Sequence, residues 1–310
     1  MARDWEQTFR KWTKPSSDTE CQKQENAQRM ISAAIREHEP FRQREIKIIP
    51  QGSYRNNTNV RQESDVDICV CSMDPFFDDY AGADYSRTET GVIPTTYSYP
   101  EFKNDVQASL EKKFGKGGVK RGDKAFDVHA NAYRVDADVV AAFAYRFYLK
   151  TTYTSYNNIP HPQRTHIVPE GTKFYSDSGK EIINWPEQHY TLGVAKNQRT
   201  GSRFKYVVRA LKNLQIEMEE LNITTAKGIP SYLIECIVYN VPDSLFAGDS
   251  YAKILGDCLG TIYAATESGE KSRQWLEVNE HKYLFTPNQP WTREQVRSFI
   301  LSAWIHGEFS

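Results

Sequence analysis

QGSYRNNTNVRQESDVDICVC, residues 51–71, is the stretch on which the reading of the chain turns. Ile46, Ile48 and Ile49 lead through Pro50 into the pair Gly52-Ser53. A polar loop follows, and then Asp65 and Asp67 sit two apart, with Val66, Ile68 and Val70 between and after them. The alternation predicts a strand, and residues two apart on a strand point to one face. Two carboxylates a few ångströms apart repel by about 4 kcal/mol at an effective dielectric of roughly 20. A strand that holds them together needs a neutralising partner, and a divalent cation is the simplest. Mg²⁺ suits the role because it takes one or two protein carboxylates and fills its shell with water and phosphate oxygens. The glycine lets backbone approach a phosphate, and the serine adds a hydroxyl and an N–H donor. A phosphate anchor and a metal platform joined by a short loop predict phosphoryl chemistry.

Composition narrows the partners. Over 310 residues the formal net charge is −1, with 39% hydrophobic and 25% charged residues, ordinary values for a soluble globular protein. A protein gripping long DNA or RNA carries a strongly basic balance. This chain does not, so free nucleotides are favoured and no DNA template is expected. The length suits one large domain or two modest ones sharing a cleft. Five scattered cysteines, Cys21, Cys69, Cys71, Cys236 and Cys258, read as free buried thiols of a reducing compartment, with no spacing for zinc. No apolar run approaches membrane-spanning length, and MARDWEQTFRKW at the start lacks a signal-peptide core. A cytoplasmic protein without a membrane partner is expected.

In chain order, residues 18–38 predict a long helix with Ala27, Met30, Ile31, Ala34 and Ile35 on one stripe, capped by Asp18 or Thr19. Residues 74–99 read as a surface excursion, and Glu101 to Phe114 as a helix stopped by glycines. Ala125 to Ala130 and Arg134 to Phe143 predict short strands. On the second, Asp136 and Asp138 share parity, so either can join the carboxylate pair. Residues 150–190 look irregular, and Pro186 marks a lobe boundary. Beyond it Phe204, Val207, Val208, Leu211, Leu214 and Met218 keep a helical period, and further helices follow at 232–239, 251–265 and 292–304. Thr292 with Gln295 forms a capping box for the last. The expected division is 1–186, a core including the long N-terminal helix, and 187–310, a helical lobe.

Gly-Ser, roughly a dozen residues and Asp-x-Asp resemble the signature of the DNA polymerase β-like nucleotidyltransferases. The wording GSYRNNTNVRQESDVDI is similar, more narrowly, to the cGAS/DncV-like nucleotidyltransferases (CD-NTases) of clade E. Those enzymes make cyclic oligonucleotide signals from free nucleoside triphosphates in bacterial anti-phage (CBASS) systems. The resemblance runs from about residue 15 to the end. It implies an α+β fold: a small mixed sheet with flanking helices, a C-terminal helical lobe, and an active site in the cleft between them. It also implies a third metal ligand at Asp138, in the segment Ala-Asp-Val-Val, whereas Asp136 stands where the relatives vary. Two Mg²⁺, replaceable by Mn²⁺, are the implied cofactors on Asp65, Asp67 and Asp138.

Nucleotide ligands follow in the same way. Gln51, Gly52 and Ser53 form the phosphate turn. The stretch GVAKNQRTGSRFKYVVRALK, 193–212, brings Lys196, Arg199, Arg203, Lys205 and Arg209 before Lys212, cations suited to a triphosphate tail. By resemblance Lys212 contacts the triphosphate, Ser231 binds phosphate, and Tyr232 stacks on the base. Asn184 lies in a segment that faces the nucleobase in clade E enzymes, where asparagine accompanies pyrimidines and purine users often carry serine. A primary amide matches the O4 acceptor and N3–H donor of uracil, or turned over the corresponding atoms of cytosine. The expected activity is synthesis of a cyclic dinucleotide, cyclic UMP-AMP or cyclic di-UMP, from UTP and ATP. An effector would recognise the product, and RNA or an accessory protein is a candidate regulator. Two alternatives share parts of this logic: a transferase adding nucleotides to RNA ends or protein side chains, and a nucleotide sensor without chemistry. The near-neutral charge disfavours the first, and the intact carboxylates disfavour the second.

Overall fold

The computed structural model describes residues 3–14, 18–60, 65–156 and 159–309. The end of the polar loop that precedes Asp65, residues 61–64, lies outside them. Along the chain run α1 (Trp5–Trp12), α2 (Asp18–Glu37), β1 (Ile46–Gln51), the single turn α3 (Gly52–Arg55), β2 (Val66–Asp79), α4 (Tyr99–Phe114), β3 (Val119–Arg121), β4 (Phe126–Val128) and β5 (Ala137–Phe147). Then come β6 (Thr152–Tyr156), β7 (Ile159–Gln163), β8 (Gly171–Tyr175), β9 (Glu181–Asn184), α5 (Pro186–Arg199), α6 (Arg203–Glu220), α7 (Ser231–Tyr239), α8 (Tyr251–Ser268) and α9 (Arg293–His306).

Two compact units divide this order: residues 19–51 with 65–187, and residues 1–18 with 52–64 and 188–310. They are not the contiguous stretches 1–186 and 187–310. Packing, rather than chain order, draws the boundary, because α1 and the Gly-Ser segment pack with the C-terminal helices.

The first unit is built on a mixed sheet in the order β1-β2-β5-β4-β3, with β8 on β5 and β9 on β8. β2 and β5 run parallel at its centre, and β4 and β8 share the far edge of β5 at opposite ends. Ile68, Cys69, Val70 and Cys71 of β2 and Val139, Ala141 and Ala142 of β5 are all buried, as strands covered on both faces require. Helix α4 covers the face that carries Phe143, whose ring lies 5.3 Å from that of Phe102. Its start is set by a capping box between Ser98 and Glu101, and its end by Gly115 at φ 78°. β2 runs on to Asp79 through a register shift between Ser72 and Phe76, longer than its sequence suggests. The region read as irregular, 150–190, contains the β6–β7 hairpin, β8 and β9. β6, β8 and β9 span only four or five residues and β7 carries two prolines, so no run is long enough to show a hydrophobic alternation.

The second unit is helical. The expected period on α6 holds, with Phe204, Val208, Leu211, Leu214 and Met218 fully buried, and Thr292 and Gln295 close the capping box on α9. Helix α1 escapes a sequence reading because it is a single amphipathic pair of turns. Its Phe9 is fully buried, stacked 5.2 Å from Trp5 and 5.5 Å from Phe309. Pro186 opens α5 at its first position, where its missing N–H costs nothing. Arg209 on α6, also fully buried, donates Nε to the Thr13 carbonyl at 2.8 Å and its guanidinium to the Asn57 carbonyl. That side chain ties α1 and the Gly-Ser segment to the helices.

Among the described residues no helix is long and apolar enough to cross a membrane. Four cysteines are buried as expected, but Cys21 is exposed.

Candidate active site

Register places the carboxylates. Gln51 of β1 pairs with Asp67 of β2, Asp67 with Asp138 of β5, and Asp138 with Asp127 of β4. Residues paired across neighbouring strands share a face, so one level of the sheet carries Gln51, Asp67, Asp138 and Asp127 side by side. This face is opposite the one covered by α4, since Phe143 differs in parity from Asp138. Asp65 precedes β2 and is exposed, with the parity of Asp67.

The acids reinforce one another. The Asp138 carboxyl is pushed up to about 6 by burial, by the charges of Asp65 and Asp127, and by a side-chain hydrogen bond with Asp127. Asp65, exposed as a residue, has a partly desolvated carboxyl that is raised by that desolvation first and then by the charges of Asp136 and Asp127. Asp127 was not singled out in the sequence, although the alternation in AFDVHA places it on a strand. Only the register shows that this strand lies against β5. Asp136 is exposed and accepts the backbone N–H of Ala130, which commits one of its oxygens.

These features decide how a metal would fit. The donors are all oxygen, anionic and mutually repelling, the set that hard divalent cations satisfy. Among the described residues, no group of three acidic, histidine or cysteine side chains is arranged so that it could hold a metal ion as it stands.

A polar pocket is built within the helical unit. Gly52 sits at φ 72°, a conformation that favours glycine, and starts the turn α3. The loop then folds back, with Thr58 N–H bonded to the Ser53 carbonyl at 2.9 Å. Ser53, Thr58, Asn59, Lys212, Gln215 and Ser231 are among the residues lining a cavity of about 330 Å³. Lys212 is 2% exposed and donates to the Thr58 carbonyl at 3.1 Å and hydroxyl at 3.3 Å. The hydroxyls of Ser53 and Ser231 make no hydrogen bond among the described residues, which leaves both donors available to the cavity. Three residues expected at the phosphates, Ser53, Lys212 and Ser231, therefore meet in one pocket.

Lys196 does not join them. It is buried, and its ammonium donates to Asp243 at 2.6 Å and to the Val241 carbonyl at 2.8 Å. Arg199 bonds the other oxygen of Asp243 at 2.7 Å. Sequence shows that a basic run exists but not which cations are already paired, and this pair closes the helical unit.

Tyr232 is anchored at its tip: the hydroxyl donates to Glu277 at 2.7 Å, and the ring lies 5.4 Å from that of His189. Asn184 ends β9 opposite Thr172 of β8 and is partly exposed. Its side-chain amide makes no hydrogen bond among the described residues. A Cβ added at Gly171 would come within 3.0 Å of the Asn184 carbonyl and of the Trp185 ring, so the glycine keeps this strand end close.

A mixed sheet presenting acids in a row, with a Gly-Ser turn and a helical unit, defines a nucleotidyltransferase. Residues 191–308 match the family model of the cGAS/DncV-like nucleotidyltransferase C-terminal helical domain. The chain belongs to the cGAS/DncV-like nucleotidyltransferases, and within them to the CdnE group. It is 49% identical, over 99% of both chains, to the cyclic dipyrimidine nucleotide synthase CdnE of Legionella pneumophila. The CdnE cyclic dinucleotide synthase of Elizabethkingia meningoseptica, solved with GTP and Apcpp, matches with a TM-score of 0.75 and 34% identity, over 97% of this chain and 98% of that one. The CdnE c-UMP-AMP synthase of Rhodothermus marinus, solved with Apcpp and Upnpp, matches with a TM-score of 0.80 and 27% identity, over 98% of this chain and 97% of that one.

Proposed function

We propose that this protein joins two nucleoside triphosphates, at least one of them UTP, into a cyclic dinucleotide without a template. What supports the reading is a row of sheet carboxylates and a serine-lysine-serine pocket in a chain alike over its full length to a cyclic dipyrimidine nucleotide synthase.

In each round a ribose hydroxyl oxygen of one nucleotide attacks the α-phosphorus of the other. A new P–O bond forms, the bond to pyrophosphate breaks, and the hydroxyl proton passes to solvent. The second round, within the linear intermediate, closes the ring. Asp65, Asp67 and Asp138 would hold two Mg²⁺, which supply charge stabilisation for the attacking and leaving oxygens. Ser53 and Ser231 donate hydroxyl hydrogens to triphosphate oxygens, and Lys212, held by Thr58, neutralises the departing pyrophosphate. Such an enzyme draws on the cellular nucleotide pool, so it works in the cytoplasm, and its product serves as an anti-phage (CBASS) signal read by an effector.

Asn184 selects the base through its amide. Purified protein with labelled nucleotides and Mg²⁺ is expected to give a phosphatase-resistant product containing UMP, identified by mass spectrometry. Asn184→Ser removes a donor–acceptor pair worth about 1–3 kcal/mol, so the preference for UTP over purines falls by a factor of about 5 to 150. Wild-type protein that ignores UTP and cyclises only ATP or GTP would overturn the assignment.

Tyr232 serves both substrate and core. Tyr232→Phe loses the bond to Glu277, a charged acceptor, and is expected to lower stability by about 1.5–3 kcal/mol with KM unchanged. Tyr232→Ala also removes the stacking face, which raises KM for one nucleotide by a factor of about 10 to 100. An unchanged KM in Tyr232→Ala would assign the ring to the core alone.

A further inference from the structure

Helix α7 carries a carboxylate that the reaction does not use. Glu235 lies one turn beyond Ser231 and is 3% exposed. Its Oε2 accepts the Thr58 hydroxyl at 3.1 Å, and its Oε1 bonds His189 Nε2 at 3.0 Å. Thr58, fully buried, accepts from Lys212 through both its carbonyl and its hydroxyl, while its N–H closes the turn on Ser53. The charged neighbours of Glu235 are His189 of α5 and Lys205 and Lys212 of α6. Burial works to raise its carboxyl, yet His189, Lys212 and Thr58 hold it below the ordinary range.

Burying a carboxylate is costly unless it is paired, and this one is held by His189 on one oxygen and by the Thr58 loop on the other. The chain of contacts runs from α5 through Glu235 to Thr58, and from Thr58 to both Lys212 and the Ser53 turn. Lys212 and the Ser53 turn are thereby both fixed to one threonine, and Ser231 stands on the helix that carries Glu235. We propose that Thr58 and Glu235 are positioning residues for triphosphate binding: Glu235 orients the Thr58 hydroxyl, which sets Lys212 and Ser53 at the spacing the phosphates require. This deepens the proposed function and rests on the pocket assigned there.

The test measures the dissociation constant for inorganic pyrophosphate and the KM and kcat for UTP, with thermal melting of each variant. Thr58→Val keeps the shape and removes the hydroxyl. It is expected to weaken pyrophosphate binding and raise KM by about tenfold, as loss of a hydrogen bond to charged groups does. Thr58→Ser, which restores the hydroxyl, is expected to return both to within about twofold of wild type. Glu235→Gln should raise KM alone but add little in a Thr58→Val background, because its effect passes through that hydroxyl. Where Lys212→Ala weakens pyrophosphate binding and Thr58→Val does not, positioning is refuted and the pocket stands. Where neither changes it, both fail. A Thr58→Val protein that melts earlier with unchanged KM also refutes the inference, since the threonine is then only structural.

Discussion

Asp67→Asn together with Asp138→Asn is expected to abolish pyrophosphate release while the protein stays folded and, without metal, becomes more stable. The two residues are cross-strand partners at the centre of the acidic row. Each is proposed to hold the charge on which the displacement depends, and loss of one preorganised electrostatic group costs a rate factor of about 10² to 10³. Stability moves the other way. Burial and its acidic neighbours raise the Asp138 carboxyl to about 6 in the folded protein. In the unfolded chain an aspartate ionises at about 3.9, so across that interval the folded state binds more protons. Stability of the metal-free protein therefore falls as pH rises from about 4 to about 6, and the whole deficit persists at neutral pH. A two-unit shift on a half-buried group, discounted for solvent screening, gives about 1–2 kcal/mol, which Asp138→Asn recovers at pH 7 but not at pH 4. Mg²⁺ should raise the melting temperature of wild type at pH 7 and leave the double variant unmoved. Near wild-type pyrophosphate release by the double variant would show that the chemistry lies elsewhere.

Lys196→Met and Lys212→Met, two substitutions in one basic run, should fail in opposite ways. Lys196 is buried against Asp243 and the Val241 carbonyl, so its loss strips two charge-assisted bonds from the helical unit. Arg199 still holds Asp243, which limits the cost to about 2–3 kcal/mol, with KM close to wild type in the protein that remains folded. Lys212 lies in the wall of the cavity that Ser53 and Ser231 also line, the proposed triphosphate site. Removing its charge is expected to raise KM for nucleoside triphosphates by at least about tenfold and to lower kcat, because the departing pyrophosphate loses a cation. It also costs some stability, since the Thr58 carbonyl loses a donor. Steady-state kinetics beside thermal melts separate the cases. A Lys196→Met enzyme with a tenfold higher KM and unchanged melting would restore the role its sequence position suggested.

Much of this protein is legible in its sequence. The parity of Asp65 and Asp67, the apolar strand around them, the period of α6, the Gly-Ser turn and the capping box at Thr292 are local features. Local features are set by backbone geometry and side-chain spacing, and these can be read residue by residue. What sequence could not supply was partnership. Asp127 joins the acids only because β4 lies against β5, and Lys196 is paired only because Asp243 has folded onto it. The strands between 150 and 190 form through pairing, without a pattern of their own. The Gly-Ser turn belongs to the helical unit because Arg209 and Lys212 hold its carbonyls. Spacing along a chain fixes which groups face the same way. Which charges meet, and so which are spent on structure and which remain for substrate, depends on contacts between residues far apart in sequence, and only the tertiary structure decides those.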